Sequence, residues 1–208
     1  MNLPNKISLT RIFMIPVFVV TFFLEGILPY NFLISAVIFA LAAFTDFIDG
    51  KIARSRGLVT NLGKFLDPIA DKVLVSTAMV LLLTMRRSLF GMFDCGAQAP
   101  LYVATVVCVC IILARELIIS AFRQIAATNG IVMAAEKLGK YKTACQDVAI
   151  FILLLSADIS TPASYAVPWG VYVAWFGVVL FFLATVLTIW SGIAYVVKNK
   201  QVLKDKKD

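Results

Sequence analysis

Six apolar stretches, near residues 9–28, 32–55, 63–85, 100–127, 140–157 and 168–197, follow one another with only short polar or turn-rich pieces between them. Each is long enough, allowing for tilt and polar ends, to cross a bilayer as a helix. The composition agrees: 61% of residues are hydrophobic, 15% are charged and the mean hydropathy is +0.93, which a soluble domain cannot keep dissolved. The sequence therefore predicts an all-α integral membrane protein with six transmembrane helices, one membrane domain over 1–197 and a charged tail over 198–208. The first run follows Lys6 and Arg11 and so has the look of a signal peptide, but no small-residue cleavage site follows it and further spans do. It is read as the first transmembrane helix.

Charge sets the expected orientation. With six spans and both ends on one side, 17 of the 19 basic residues share that side, and only Arg86 and Arg87 fall opposite, where an outer-surface salt contact is the default expectation. By the positive-inside rule the crowded side is the cytoplasm, which makes the chain a multi-pass membrane protein with both ends cytoplasmic. The net charge of +7 then reflects topology, and no nucleic-acid partner is expected.

Other chemistries are narrowed by absence. The chain has no histidine, so the commonest general base and transition-metal ligand is missing and acid/base work falls to carboxylates. Cys95, Cys108, Cys110 and Cys145 form no CxxC pair, and Cys108 and Cys110 point to different helix faces. They read as small hydrophobic filler.

One polar constellation stands out. Asp46, Asp49, Gly50, Ala53, Arg54, Gly63, Asp67 and Asp71 fall at the cytoplasmic ends of helices two and three. Asp46 and Asp49 are three apart and Asp67 and Asp71 four apart, so each pair shares a helical face. Ionised carboxylates at the edge of hydrocarbon need neutralising, and four hard oxygen donors suit two divalent cations, Mg²⁺ or Mn²⁺. Gly50 lets a phosphate approach the backbone, Ala53 and Gly63 keep the space between helices open, and Arg54 offers a planar fork to phosphate. Each residue alone has a plainer reading, the aspartates as partners of Lys51, Arg54, Lys64 or Lys72 and the small residues as helix-packing positions. Pro68 marks a place where helix three begins or bends.

These eight residues match every fixed position of the pattern DxxDGxxARx8Gx3Dx3D, and on them the chain resembles the CDP-alcohol phosphotransferase family along its whole length. The resemblance implies that family's six-helix fold, a cytoplasm-facing site between helices two and three, and a homodimer. It further implies that Asp46, Asp49 and Asp67 bind metal, that Asp71 is both near metal and the general base, and that Gly50, Ala53 and Arg54 line the CDP pocket.

The acceptor must be argued from outside that pattern. Arg115 and Arg123 lie toward the cytoplasmic end of helix four, and Lys137, Lys140 and Lys142 cluster at the entrance to helix five. A phosphorylated acceptor needs such cations, whereas serine, choline or free inositol does not. Against this, the lysines also serve as a positive-inside anchor, and Arg115 has Glu116 or Glu136 as a partner. The stretch from Asn2 to Arg11 with Pro16, the run Arg115–Ser120 with Arg123, and the run Lys137–Thr143 resemble the phosphatidylglycerophosphate synthase branch of the family. That implies CDP-diacylglycerol as donor, sn-glycerol 3-phosphate as acceptor, Arg115, Arg123, Lys137 and Lys140 on its phosphate, and Asn5 and Thr10 near the nucleotide. As bare residues Asn5 and Thr10 equally cap the first helix. Rival readings are a cardiolipin synthase or inositol phosphate enzyme of the same fold and, from another class, a divalent-cation transporter.

Overall fold

In the computed structural model, residues 3–56, 61–128, 137–159 and 169–200 are described, with the side chains at 3–8, 46–56, 61–68, 127–128 and 137–138 excepted. Within them the chain forms six α-helices: α1 (Leu3–Phe22), α2 (Asn31–Arg56), α3 (Asn61–Thr84), α4 (Cys95–Thr128), α5 (Lys137–Ile159) and α6 (Trp169–Lys198). Two of these, α4 and α6, are long and apolar enough along their described lengths to cross a membrane.

The apolar runs locate every helix, and the differences lie at their ends. α1 begins at Leu3 and stops at Phe22, six residues before the end of its apolar run. The stop has a local cause: Gly26 takes φ +83° and Tyr30 φ +57°, left-handed conformations that turn the chain back before α2. Because α1 starts at Leu3, Thr10 lies inside it and does not cap its start. α3 starts at Asn61, so Pro68 falls two turns inside the helix and does not begin it. α4 starts at Cys95, with the Asp94 carbonyl accepting the Ala97 and Gln98 N–H groups, and it carries Pro100 within its length.

The start of α2 is tied to two other helices. Asn31 Nδ2 donates to the Phe22 carbonyl at 2.8 Å, and the Asp158 carboxylate at the far end of α5 accepts the Leu33 N–H at 2.5 Å. A buried carboxylate from α5 thus satisfies one of the orphan donors that every helix start presents.

α3 packs against α1, α2, α4 and α5, while α6 closes the ring by packing on α5 and α4. The core is aromatic on the α1–α2 side, where Phe18 meets Phe39 at 6.0 Å and Phe22 meets Phe32 at 5.3 Å. Elsewhere it is mainly aliphatic, with Leu74, Met79, Leu82, Ile112, Ile150 and Leu153 enclosed, joined by Phe181 of α6. α5 and α6 approach closely at Gly177, where a Cβ would stand 2.8 Å from Leu153 Cδ2. Small residues permit such contact between helices in lipid.

The outer surface is the reverse of a soluble protein's. Phe13, Val17, Leu41, Phe44, Val103, Val107, Phe176, Leu183 and Val186 are exposed around the bundle. Trp169 and Trp190 on α6 are both 69% exposed and stand 21 residues apart, about 32 Å along a helix, which matches the hydrocarbon thickness of a bilayer. At the end of the bundle where Asp158 meets α2, a single 3₁₀ turn, Phe90–Met92, buries Phe90 between Phe93 and Tyr102. Arg86 lies over the Tyr102 ring, 5.3 Å from its centroid, and among the described residues this aromatic contact is its partner.

Candidate active site

The polar end of the bundle is built by the first turns of α3 and α5 and the last turns of α4 and α6. There a cleft is lined by Asp71, Lys72, Val75, Ser76 and Met79 from α3, Glu116 from α4, and Lys142, Thr143 and Gln146 from α5. Its polar residues gather toward the helix ends. Two turns deeper, Gln146 Nε2 lies 3.4 Å from the Met79 sulfur, where the bundle becomes apolar.

Asp71 stands in this cleft, half-buried. Next to it, Lys72 donates to Ser120 Oγ, and that hydroxyl donates to the Glu116 carbonyl at 2.5 Å, so the α3 cation is tied to α4. Across the cleft, Lys142 is buried and donates to Glu116 Oε1. Arg115 Nη1 reaches the same oxygen at 3.2 Å. Arg115 is also fixed from α6: Nη2 donates to Ser191 Oγ at 3.0 Å, and its side chain lies against Gly192, where an added Cβ would stand 3.1 Å from Cγ.

Arg123, eight residues further along α4, uses α6 in the same way. Its Nε donates to Tyr195 Oη at 3.3 Å and its guanidinium lies 5.4 Å from the Tyr195 ring centroid, with Phe122 edge-on to that ring. The contacts advance together along both helices, so α4 and α6 run parallel here and α6 acts as a backing for both arginines.

Of the expected acceptor residues, Arg115 therefore adjoins the cleft, Arg123 is exposed on the α4–α6 side, and Lys140 is exposed at the start of α5. Lys137 begins α5, but its side chain lies outside the described residues. The same holds for the side chains of Asn5, Asp46, Asp49, Ala53, Arg54 and Asp67 and for the surroundings of Gly50 and Gly63. Their backbone is placed: Asn5 is in α1, the stretch from Asp46 to Arg54 is in the second half of α2, and Gly63 and Asp67 are in the first turns of α3. Thr10 is exposed on α1. Arg56 and Asn61 are five residues apart and so lie within about 18 Å of each other, which keeps the acidic ends of α2 and α3 near one another. α2 and α3 also pack together directly.

The donor set fits a hard divalent cation. Asp71 supplies a carboxylate in an accessible cleft, and the three other aspartates stand on α2 and α3, which pack together; all are oxygen ligands of the type Mg²⁺ and Mn²⁺ take.

Sequence reasoning missed two roles. The sequence groups Lys142 with Lys137 and Lys140, as cations for a phosphorylated acceptor or as an anchor, and places only the other two on the acceptor phosphate, yet Lys142 is buried and paired with Glu116 of another helix. Arg11 enters the sequence reading as a flanking charge and as part of the Asn2–Arg11 stretch, with no place in the core, yet it is fully buried in the bundle. A guanidinium keeps such a position only with partners, so a basic residue on the inward face of α1 was the available signal.

Comparison with known proteins agrees with this architecture. Residues 1–198 match the family described as CDP-alcohol phosphatidyltransferase. A protein named CDP-diacylglycerol–glycerol-3-phosphate 3-phosphatidyltransferase from Bacillus subtilis is 36% identical over 213 residues, covering 98% of this chain and 97% of its own. One of the same name from Salmonella typhimurium is 38% identical over 209 residues, covering 99% and 98%. A cardiolipin synthase (CMP-forming) from Oryza sativa subsp. japonica is 36% identical over 207 residues, covering 98% of this chain but 59% of its own. With the match running through all six helices, the chain belongs to the CDP-alcohol phosphatidyltransferase family.

Proposed function

We propose that the protein is a phosphatidylglycerophosphate synthase, an integral membrane transferase that moves the phosphatidyl group from CDP-diacylglycerol to sn-glycerol 3-phosphate and releases CMP. The observation that carries this reading is the meeting of Arg115 and Lys142 beside the cleft that holds Asp71. It sets cations suited to a phosphate beside a carboxylate suited to a hydroxyl proton. The bacterial relatives of that name are matched along nearly their whole length. The plant cardiolipin synthase is as similar over the matched part, so phosphatidylglycerol is the acceptor to test as the second reading. Nothing in the family match favours a divalent-cation transporter.

In this reading Asp71 takes the proton from the primary hydroxyl of glycerol phosphate. The hydroxyl oxygen then attacks the phosphorus that carries the diacylglycerol, a new P–O bond forms, and the P–O bond to CMP breaks. Two divalent ions, Mg²⁺ or Mn²⁺, held by Asp46, Asp49, Asp67 and Asp71, would supply neutralisation of the pyrophosphate charge when bound. Asn5, Thr10, Gly50, Ala53, Arg54 and Gly63 would line the donor pocket. Arg115, Arg123, Lys137 and Lys140, joined now by Lys142, would orient the acceptor, lowering the entropic part of the barrier.

The six helices all span the membrane in this reading, the domain covers 1–197 and the tail 198–208 follows it into the cytoplasm, and two copies associate as a homodimer. Support for the membrane reading comes from the apolar outer surface and the two exposed tryptophans, Trp169 and Trp190, spaced along α6.

The test is incorporation of radiolabelled glycerol 3-phosphate into lipid by purified protein. Label should enter only when CDP-diacylglycerol and a divalent metal are both present, and excess chelator should abolish it. Full incorporation in chelator, or CMP release with phosphatidylglycerol and none with glycerol phosphate, would overturn the assignment.

A further inference from the structure

The cation pair beside the cleft is already bridged. One carboxylate oxygen, Glu116 Oε1, accepts from Arg115 on its own helix and from Lys142 on α5. The three side chains differ in access: Lys142 is 4% exposed, Arg115 16% and Glu116 27%. Glu116 and Lys142 line the cleft and Arg115 lies behind them, so an anion entering the cleft meets Glu116 before it meets the guanidinium. Arg115 does not depend on Glu116 for its position, because Ser191 Oγ holds its other terminal nitrogen and Gly192 leaves room for its stem.

An entering anion must therefore compete with a carboxylate for two cations. A phosphomonoester brings up to two negative charges and three terminal oxygens, and outcompetes it. A phosphodiester carries one charge, no more than the carboxylate it would replace, and a neutral alcohol carries none. We propose that Glu116 is a resident counter-anion of the acceptor pocket, displaced by a phosphomonoester and not by a phosphodiester or a neutral alcohol, which makes it a selectivity residue. This rests on the reading that a phosphorylated acceptor binds in this cleft.

Glu116→Gln keeps the shape and removes the charge. With inorganic phosphate as probe, its competitive inhibition constant against glycerol 3-phosphate should be roughly twofold to fivefold lower than in the parent protein, the size expected for one partly exposed charge. The KM for glycerol 3-phosphate should fall by a similar factor and the KM for CDP-diacylglycerol should stay unchanged. Phosphate inhibition that is unchanged or weaker, or both KM values moving together, would overturn the proposal. A second readout needs no turnover: phosphate should raise the thermal midpoint of the purified Glu116→Gln protein more than that of the parent, and an equal or smaller rise counts against it. Should the parent fail to incorporate glycerol phosphate at all, the acceptor assignment falls, while the contrast in phosphate-induced stabilisation still decides the role of Glu116.

Discussion

Arg115 is held at three points: Glu116 and Ser191 take its terminal nitrogens and its stem packs against Gly192. A guanidinium fixed in this way is a preorganised phosphate fork. Arg115→Ala should raise the KM for glycerol 3-phosphate at least tenfold and leave the KM for CDP-diacylglycerol within about twofold, since one charge-assisted hydrogen bond contributes about 1.5–3 kcal/mol. Steady-state kinetics with each substrate varied in turn checks this, and an unchanged acceptor dependence removes Arg115 from the pocket. Asp71→Asn makes the complementary prediction: turnover is lost while CDP-diacylglycerol binding is largely kept. Equal loss of binding and turnover in that variant would demote Asp71 from base to metal ligand. At this scale the sequence was informative about Asp71 and Arg115, whose residue types in a membrane helix already marked them, and the one lines the cleft while the other stands beside it. It could not show that Lys142, rather than Lys140, is the lysine turned inward, because that depends on the register of α5 against α4, which no local pattern specifies.

The helices themselves were legible for a simple reason: hydrocarbon demands long apolar runs, and the six runs coincide with six helices. Their ends were less so, because ends are decided by backbone conformation and by partners distant in sequence. Gly26 and Tyr30 stop the approach to α2 through left-handed φ values, of which only the glycine advertises itself. Asp158 is the sharper case. In the sequence it reads as the first polar residue of a connection, whereas in the fold it is the last turn of α5 and accepts the Leu33 N–H of α2. Removing it leaves a helix-start N–H without its acceptor in a poorly hydrated place. Asp158→Ala should therefore cost about 1–2 kcal/mol, seen as a lower thermal midpoint in detergent, with Asp158→Asn losing less because the amide oxygen still accepts. Kinetic constants measured below that midpoint should be unaffected, since the contact lies at the opposite end of the bundle from the cleft.

Taken whole, the molecule separates two ends: one with Asp71, Lys72, Glu116, Lys142 and the arginines, the other with Asp158, the 3₁₀ turn and Arg86 over Tyr102. The proposed orientation puts the first in the cytoplasm. The cysteines test it. Cys95 is exposed where α4 begins, at the second end, whereas Cys108 is buried, Cys145 partly covered and Cys110 on the apolar flank of α4. A membrane-impermeant maleimide added to intact spheroplasts should label the protein, and Cys95→Ser should abolish the labelling. Labelling that appears only after the cells are opened would reverse the orientation.

Trp190 and Ser191 are neighbours on α6, one ring facing outward and one hydroxyl holding Arg115. In the proposed orientation the indole rests among glycerol backbones and carbonyls of the inner leaflet, so a single peptide unit pegs the phosphate fork to a fixed depth beneath the lipid surface. The enzyme thereby carries its own depth gauge. In a longer-chain bilayer the interface lies farther from the midplane, and an indole that follows it would carry the fork outward with it, which would make catalysis sensitive to the thickness of the membrane.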